Sequence, residues 1–157
     1  MHRRTLIAAL AGAALPAAAW AQAGGQPQQQ SPPRSAPPPI NPENELERVF
    51  LAALEEEDAR PRFRQLLMRS QVVLAMANNA PDSPPLEMTF GQLRPGAIFT
   101  SATRMNAVLG PASARRVMTG RAALTRLSGK HVVINFMHTP MLTLDPPDVA
   151  AYLAQPA

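Results

Sequence analysis

Residues 22–42 read Gln-Ala-Gly-Gly-Gln-Pro-Gln-Gln-Gln-Ser-Pro-Pro-Arg-Ser-Ala-Pro-Pro-Pro-Ile-Asn-Pro, and they set the limits of the fold. Ile40 is the sole strongly apolar side chain among them. A stretch dominated by Pro, Gln, Gly and Ser buries too little surface to offset the entropy of ordering it. It is expected to be a disordered tether, with polyproline II character at Pro37–Pro39. Any packed core must therefore come from residues 43–157, 115 residues, which is enough for one domain. The chain has no cysteine, so that core forms without disulfides. Thiolate metal sites and cysteine nucleophiles are excluded for the same reason.

Ahead of the tether, residues 1–21 carry a different pattern. His2, Arg3 and Arg4 make a short basic start, an apolar run follows from Leu6 to about Ala19, and small residues stand at Ala19 and Ala21. This is the arrangement of a bacterial export signal. The apolar run is shorter than the roughly 20 residues of a membrane-spanning helix, and Pro16 interrupts it. The expectation is a cleaved leader and no stable membrane insertion afterwards. Cleavage after Ala21 or Ala23 fits two overlapping small-x-small sites. Arg3-Arg4 followed by Thr5-Leu6-Ile7 leaves the general secretory route and the twin-arginine route both open. The expected location is the periplasm or the medium, away from cytosolic nucleotides and nucleic acid.

Formal charge is +4 for the whole chain, and two of the positive charges, Arg3 and Arg4, lie in the leader. The remainder is too weakly basic to argue for nucleic acid.

Within 43–157 the apolar spacing alternates between helix and strand. Asn41-Pro42 reads as a helix cap and first residue, with Leu46, Val49, Phe50, Ala53 and Leu54 forming one stripe. Glu43, Glu45, Glu47 and Glu55–Glu57 are expected on its solvated face. A second helix is expected over 59–69, and a buried strand over Gln71–Ala77. Short strands are predicted at 86–90, 97–100, 115–118, 131–136 and 141–144. Ser101 caps a helix ended by Gly110-Pro111, Thr119 or Gly120 opens another, and Asp145-Pro146-Pro147-Asp148 opens the last. The result is a single compact α/β domain, a mixed sheet flanked by about four to five short helices.

The order of elements resembles a known family. Ile98-Phe99-Thr100-Ser101 leads into a helix ending at Leu109-Gly110, then the strand from Arg115, then a helix through Leu124 and Leu127. Val132-Val133-Ile134-Asn135 and Leu142-Thr143-Leu144-Asp145-Pro146 follow, and Asn44-Glu45-Leu46 and Arg60-Pro61-x-Phe63 fit the beginning. The chain resembles the N-terminal domain of the SseB family, named for enhanced serine sensitivity. The resemblance covers nearly all of 43–157. It implies no catalytic activity and no assigned binding residues. Two departures stand out: Phe136 follows Asn135 where the family tends to have Pro, and Met137-His138-Thr139-Pro140 replaces its usual Gly/Ser-rich turn. An export signal is also unusual for the family.

No catalytic or cofactor motif is legible, and no cofactor is expected. The mature chain offers only His131 and His138 as imidazole bases, and no Gly-x-Ser-x-Gly elbow occurs. Thr100 and Ser101 read as a strand end and a helix cap. Met137, His138 and Met141 combine thioether and imidazole groups, the donor set that suits Cu(I), and are the metal candidates. Asn135, His138, Arg115 and Arg116 are the candidate partner contacts. The sequence thus points to a non-enzymatic exported module that meets another envelope protein. The alternative is a small-ligand or copper binder using the 135–141 loop, and a cell-envelope hydrolase is third.

Overall fold

The computed structural model describes residues 41–156. The leader at 1–21, and the tether except for its last two residues, lie outside the described residues. Helix α1 (Glu45–Glu55) begins one turn later than Asn41-Pro42 suggests, because a second asparagine makes the better cap. Asn44 accepts a hydrogen bond from the Glu47 N–H at 2.9 Å while its own amide donates to the Thr100 carbonyl at 3.3 Å. Helix α2 (Ala59–Arg69) folds back on α1, and Phe50 stacks on Phe63 with ring centroids 5.1 Å apart.

Five strands follow: β1 (Gln71–Ala75), β2 (Gly96–Phe99), β3 (Arg115–Thr119), β4 (Val132–Ile134) and β5 (Leu142–Leu144). They form one mixed sheet in the order β3-β1-β2-β4-β5. The β2–β4 pair is parallel and the other three pairs are antiparallel. Helices α3 (Ala102–Leu109), α4 (Gly120–Arg126) and α5 (Pro146–Leu153) complete the domain. Their caps are those the sequence offers. Ser101 accepts from the Arg104 N–H, Thr119 accepts from the Ala122 N–H, and Asp145 and Asp148 form a capping box.

Alternation along the strands divides the core into two unequal layers. Val72, Leu74, Ile98, Val132, Ile134 and Leu144 face α1, α2, α4 and α5. Val73, Ala75, Ala97, Phe99 and Val133 face the other way, where Met105 of α3, Phe136, and the partly buried Leu86 and Met88 cover them. The thinner layer is covered by one short helix and by chain without regular structure.

Two expected strands differ from the sequence reading. Residues 86–90 make only two isolated bridges, Glu87 to Gly96 and Phe90 to Leu93, and no strand; a third bridge, Met76 to Pro85, lies just before them. Pro84, Pro85 and Pro95 flank this stretch, and each lacks the N–H that a ladder needs. The strand expected over 131–136 ends at Ile134, because Asn135 and Met137 both adopt positive φ, 57° and 61°. Among the described residues no helix is long and apolar enough to cross a membrane.

Candidate functional site

The carboxyl ends of the parallel strands β2 and β4 meet the starts of α1 and α3, and the most polar part of the interior lies there. Just past β2 stands Thr100, and just past β4 stands Asn135; both are buried. Asn135 Oδ1 accepts from the Thr100 N–H at 3.0 Å, which joins the two strands beyond the end of their ladder. Thr100 Oγ1 donates to Glu47 Oε1 at 2.6 Å. A hydroxyl carries one hydrogen, so this short contact to a carboxylate takes it.

Glu47 departs from the solvated face expected for it. Its relative exposure is 0%, and Arg104 of α3 reaches it twice, Nε to Oε1 at 3.2 Å and Nη2 to Oε2 at 3.0 Å. The Glu43 N–H donates to Oε2 at 2.8 Å. Burial alone would push the carboxyl up; the hydrogen bonds from Arg104, Thr100 and the Glu43 N–H, with the Arg104 charge, hold it below its ordinary value. The same pair holds the Arg104 guanidinium above its ordinary value, chiefly through the hydrogen bond to Glu47. Arg104 also donates to the Asn41 carbonyl, and Ser101 Oγ donates to a Glu43 carboxylate oxygen at 3.0 Å. The network therefore gathers the first described residues, α3 and both strand ends around one carboxylate.

The loop leaving β4 is built on this network. Asn tolerates left-handed backbone, but Met137 at φ 61° does not do so readily and stores local strain. The His138 N–H donates to the Asn135 carbonyl at 3.0 Å, and its ring Nε2–H donates to the Arg104 carbonyl at 2.9 Å. A carbonyl only accepts, so Nε2 carries hydrogen. The ring also stands edge-on to Phe99, with centroids 6.5 Å apart. Asn135 Nδ2 is buried with no partner.

The residues singled out from sequence therefore fall in different places. Asn135 is interior, and His138 is half-buried against α3. Met137 is 67% exposed, whereas Met141 packs against the Val73–Phe99 layer, so the two thioethers occupy different surroundings. Arg115 and Arg116 sit on edge strand β3, on the far side of the sheet from β4 and β5. Arg115 is folded onto α3, donating to Asn106 Oδ1 at 2.7 Å, and Arg116 donates to the Ala80 carbonyl at 2.8 Å. Glu47, Thr100 and Arg104 were not singled out as a group. One signal for Glu47 was present: Asn44-x-x-Glu47 has capping-box spacing.

What the network does chemically is brace. Its carboxylate is committed to Arg104 and its hydroxyl to the carboxylate, and Thr100 is only 4% exposed, so neither reaches a substrate in this conformation. The class is thus an α/β domain with a mixed five-stranded sheet, its parallel strand ends tied by a buried Glu–Arg–Thr–Asn network. Residues 46–151 match the family described as SseB protein N-terminal domain, and the chain belongs to that family. Comparison with curated proteins and with solved structures gives no match.

Proposed function

We propose that this SseB domain is a non-enzymatic accessory module that works outside the cytoplasm by contacting another envelope protein. One observation carries the reading: Glu47, Thr100 and Asn135 are turned inward, while three of the large exposed apolar side chains, Phe90, Leu93 and Met137, belong to neighbouring turns. Phe90 and Leu93 form the tip of a turn and pair through their backbones, and they are 39% and 37% exposed. The Phe90 ring packs edge-on to Phe136, with centroids 6.4 Å apart, and the exposed Met137 is next in the chain. Met137 is held out on backbone braced from beneath by the Glu47 network. A water-facing cluster of large apolar side chains is one mark of a contact surface.

A photo-crosslinking residue in place of Met137, in cells, is expected to yield adducts with one or a few envelope proteins. Phe90→Ser and Leu93→Ser together should abolish them. Turnover by the purified protein on ester, peptide or glycan panels would instead make it a hydrolase. Tight one-to-one copper uptake that is lost in His138→Ala would favour the ligand-binding alternative.

The location rests on the leader at 1–21. Cell fractionation is expected to find a mature species beginning at Gln22 or Gly24 in the periplasm or the medium. A full-length protein in the cytoplasm would overturn that placement.

A further inference from the structure

The outer edge of β3 carries an arrangement that the contact reading above does not use. Two hydrogen bonds fix which backbone groups of β3 are free: Gly120 N–H to the Ser70 carbonyl, and Met76 N–H to the Ala114 carbonyl, both 3.0 Å. They bracket the β1–β3 ladder, and antiparallel alternation then makes Val72–Met118 and Leu74–Arg116 the hydrogen-bonded pairs. The N–H and C=O groups of Arg115, Val117 and Thr119 therefore point away from β1. No strand lies beyond them among the described residues. They span about 13 Å of open edge. Val117, at the middle, is 63% exposed.

Four arginines border this edge. Arg115 and Arg116 stand at its start, and Arg69 and Arg121 stand near its end at Thr119, where they line a surface cavity of about 500 Å³ with Met68 and Gln155. None of the four arginines has a carboxylate within 4.0 Å among the described residues; Arg115, Arg116 and Arg121 donate to neutral acceptors, Asn106 Oδ1 and the Ala80, Leu153 and Gln155 carbonyls, which leave their charge uncompensated. Arginine on an edge strand discourages pairing with a second copy, because like charges meet. The same arginines favour a strand that brings carboxylates.

We propose that the β3 edge accepts an extended acidic segment of a partner protein, which joins the sheet as a sixth strand beyond β3. The guest pairs its backbone with Arg115, Val117 and Thr119. Its acidic side chains meet the arginine pairs at either end, and one side chain enters the cavity beside Thr119. This rests on the reading of the domain as an interaction module and names the chemistry of one partner.

The test uses the full chain and a labelled nine-residue peptide of alternating Glu and Val, with a Lys-for-Glu peptide as control, read by fluorescence anisotropy. The acidic peptide is expected to bind, more weakly as salt rises from about 50 to 300 mM, and the Lys peptide is not. Val117→Pro removes an outward N–H that the β1 ladder does not use, and should weaken binding about tenfold or more. Arg69→Glu, an exposed side chain outside the core, should do the same and serves if the proline variant fails to fold. Amide shifts at Val117 and Thr119 on titration should report the new strand directly. No binding at about 1 mM peptide, equal binding of the Lys peptide, or affinities within about twofold in both variants would overturn the proposal. So would a concentration-dependent dimer that Val117→Pro dissolves. Crosslinks at Met137 that persist despite such a failure would leave the interaction reading standing.

Discussion

Arg104→Ala is expected to destabilise the domain by about 3–5 kcal/mol, because it strands the Glu47 carboxylate in the interior. For a domain of this size that loss lowers the Tm by more than roughly 10 °C. The geometry explains why the effect is so large for one surface-reaching side chain. Arg104 supplies two of the four hydrogen bonds on Glu47 and its compensating charge, and Glu47 itself has no exposure to water. Glu47→Gln keeps the shape and removes the buried charge, and Arg104, whose side chain is 13% exposed, can turn toward solvent, so its cost should be smaller. The pH dependence separates the two variants. In the wild type the folded carboxyl lies below its unfolded value, so its contribution is present above the ordinary carboxylate range and is lost as pH falls through the folded pKa. Glu47→Gln should flatten stability in that acid window. Arg104→Ala reverses the sign: burial without a counter-charge raises the carboxyl, and acid should now relieve part of the loss. Chemical denaturation between about pH 3 and 7 measures all three. An Arg104→Ala protein as stable as wild type at neutral pH would mean that the network is not the brace described here.

Gly120→Ala is the second substitution with a large expected cost, about 3 kcal/mol or more. A Cβ at this position would lie 2.0 Å from the Leu67 carbonyl oxygen and 2.8 Å from its carbonyl carbon. Those atoms are backbone of α2, so the start of α4 can admit a methyl group only by moving away from α2 and from the Ser70 carbonyl that its own N–H holds. Gly96 offers the contrast. There a Cβ would meet Leu127 Cδ2 at 2.2 Å, but the obstacle is a side chain. Trimming Leu127 to alanine should therefore make Gly96→Ala much less costly than it is alone, a non-additivity visible in urea titrations of the single and double variants. Trimming Leu67 should not rescue Gly120→Ala, because the carbonyl remains.

The sequence disclosed most of this fold because its local signals agree with one another. Ser101, Thr119 and Asp145 are strong caps, Gly110 adopts φ 83° where its helix stops, and the 132–134 run is apolar on both faces as an interior strand must be. The readings that moved have identifiable physical reasons. Asn41-Pro42 had the composition of a helix start, but Asn44 lies where its amide also reaches the Thr100 carbonyl, a partner 56 residues away. The 86–90 alternation was genuine, yet the prolines around it leave too few donors for a ladder. The centre of the site was the least legible part. Glu47 is buried only because Arg104 and Thr100, 57 and 53 residues further on, arrive to meet it. Nothing in the periodicity of α1 distinguishes it from Glu45, which pairs with Arg62 at the surface.

The position of Asn41 has a mechanical consequence. A load carried along the backbone toward α1 passes Asn41, and there the chain is clipped to Arg104 before α1 begins. The next fasteners, Glu43 to Ser101 and Asn44 to the Thr100 carbonyl, lead to the start of α3 and the end of β2. Tension therefore bears on the middle of the sheet instead of unwinding α1 turn by turn. Arg104→Ala would remove that clip, and the force needed to open the domain from its amino end should fall even under conditions where the rest of the fold survives.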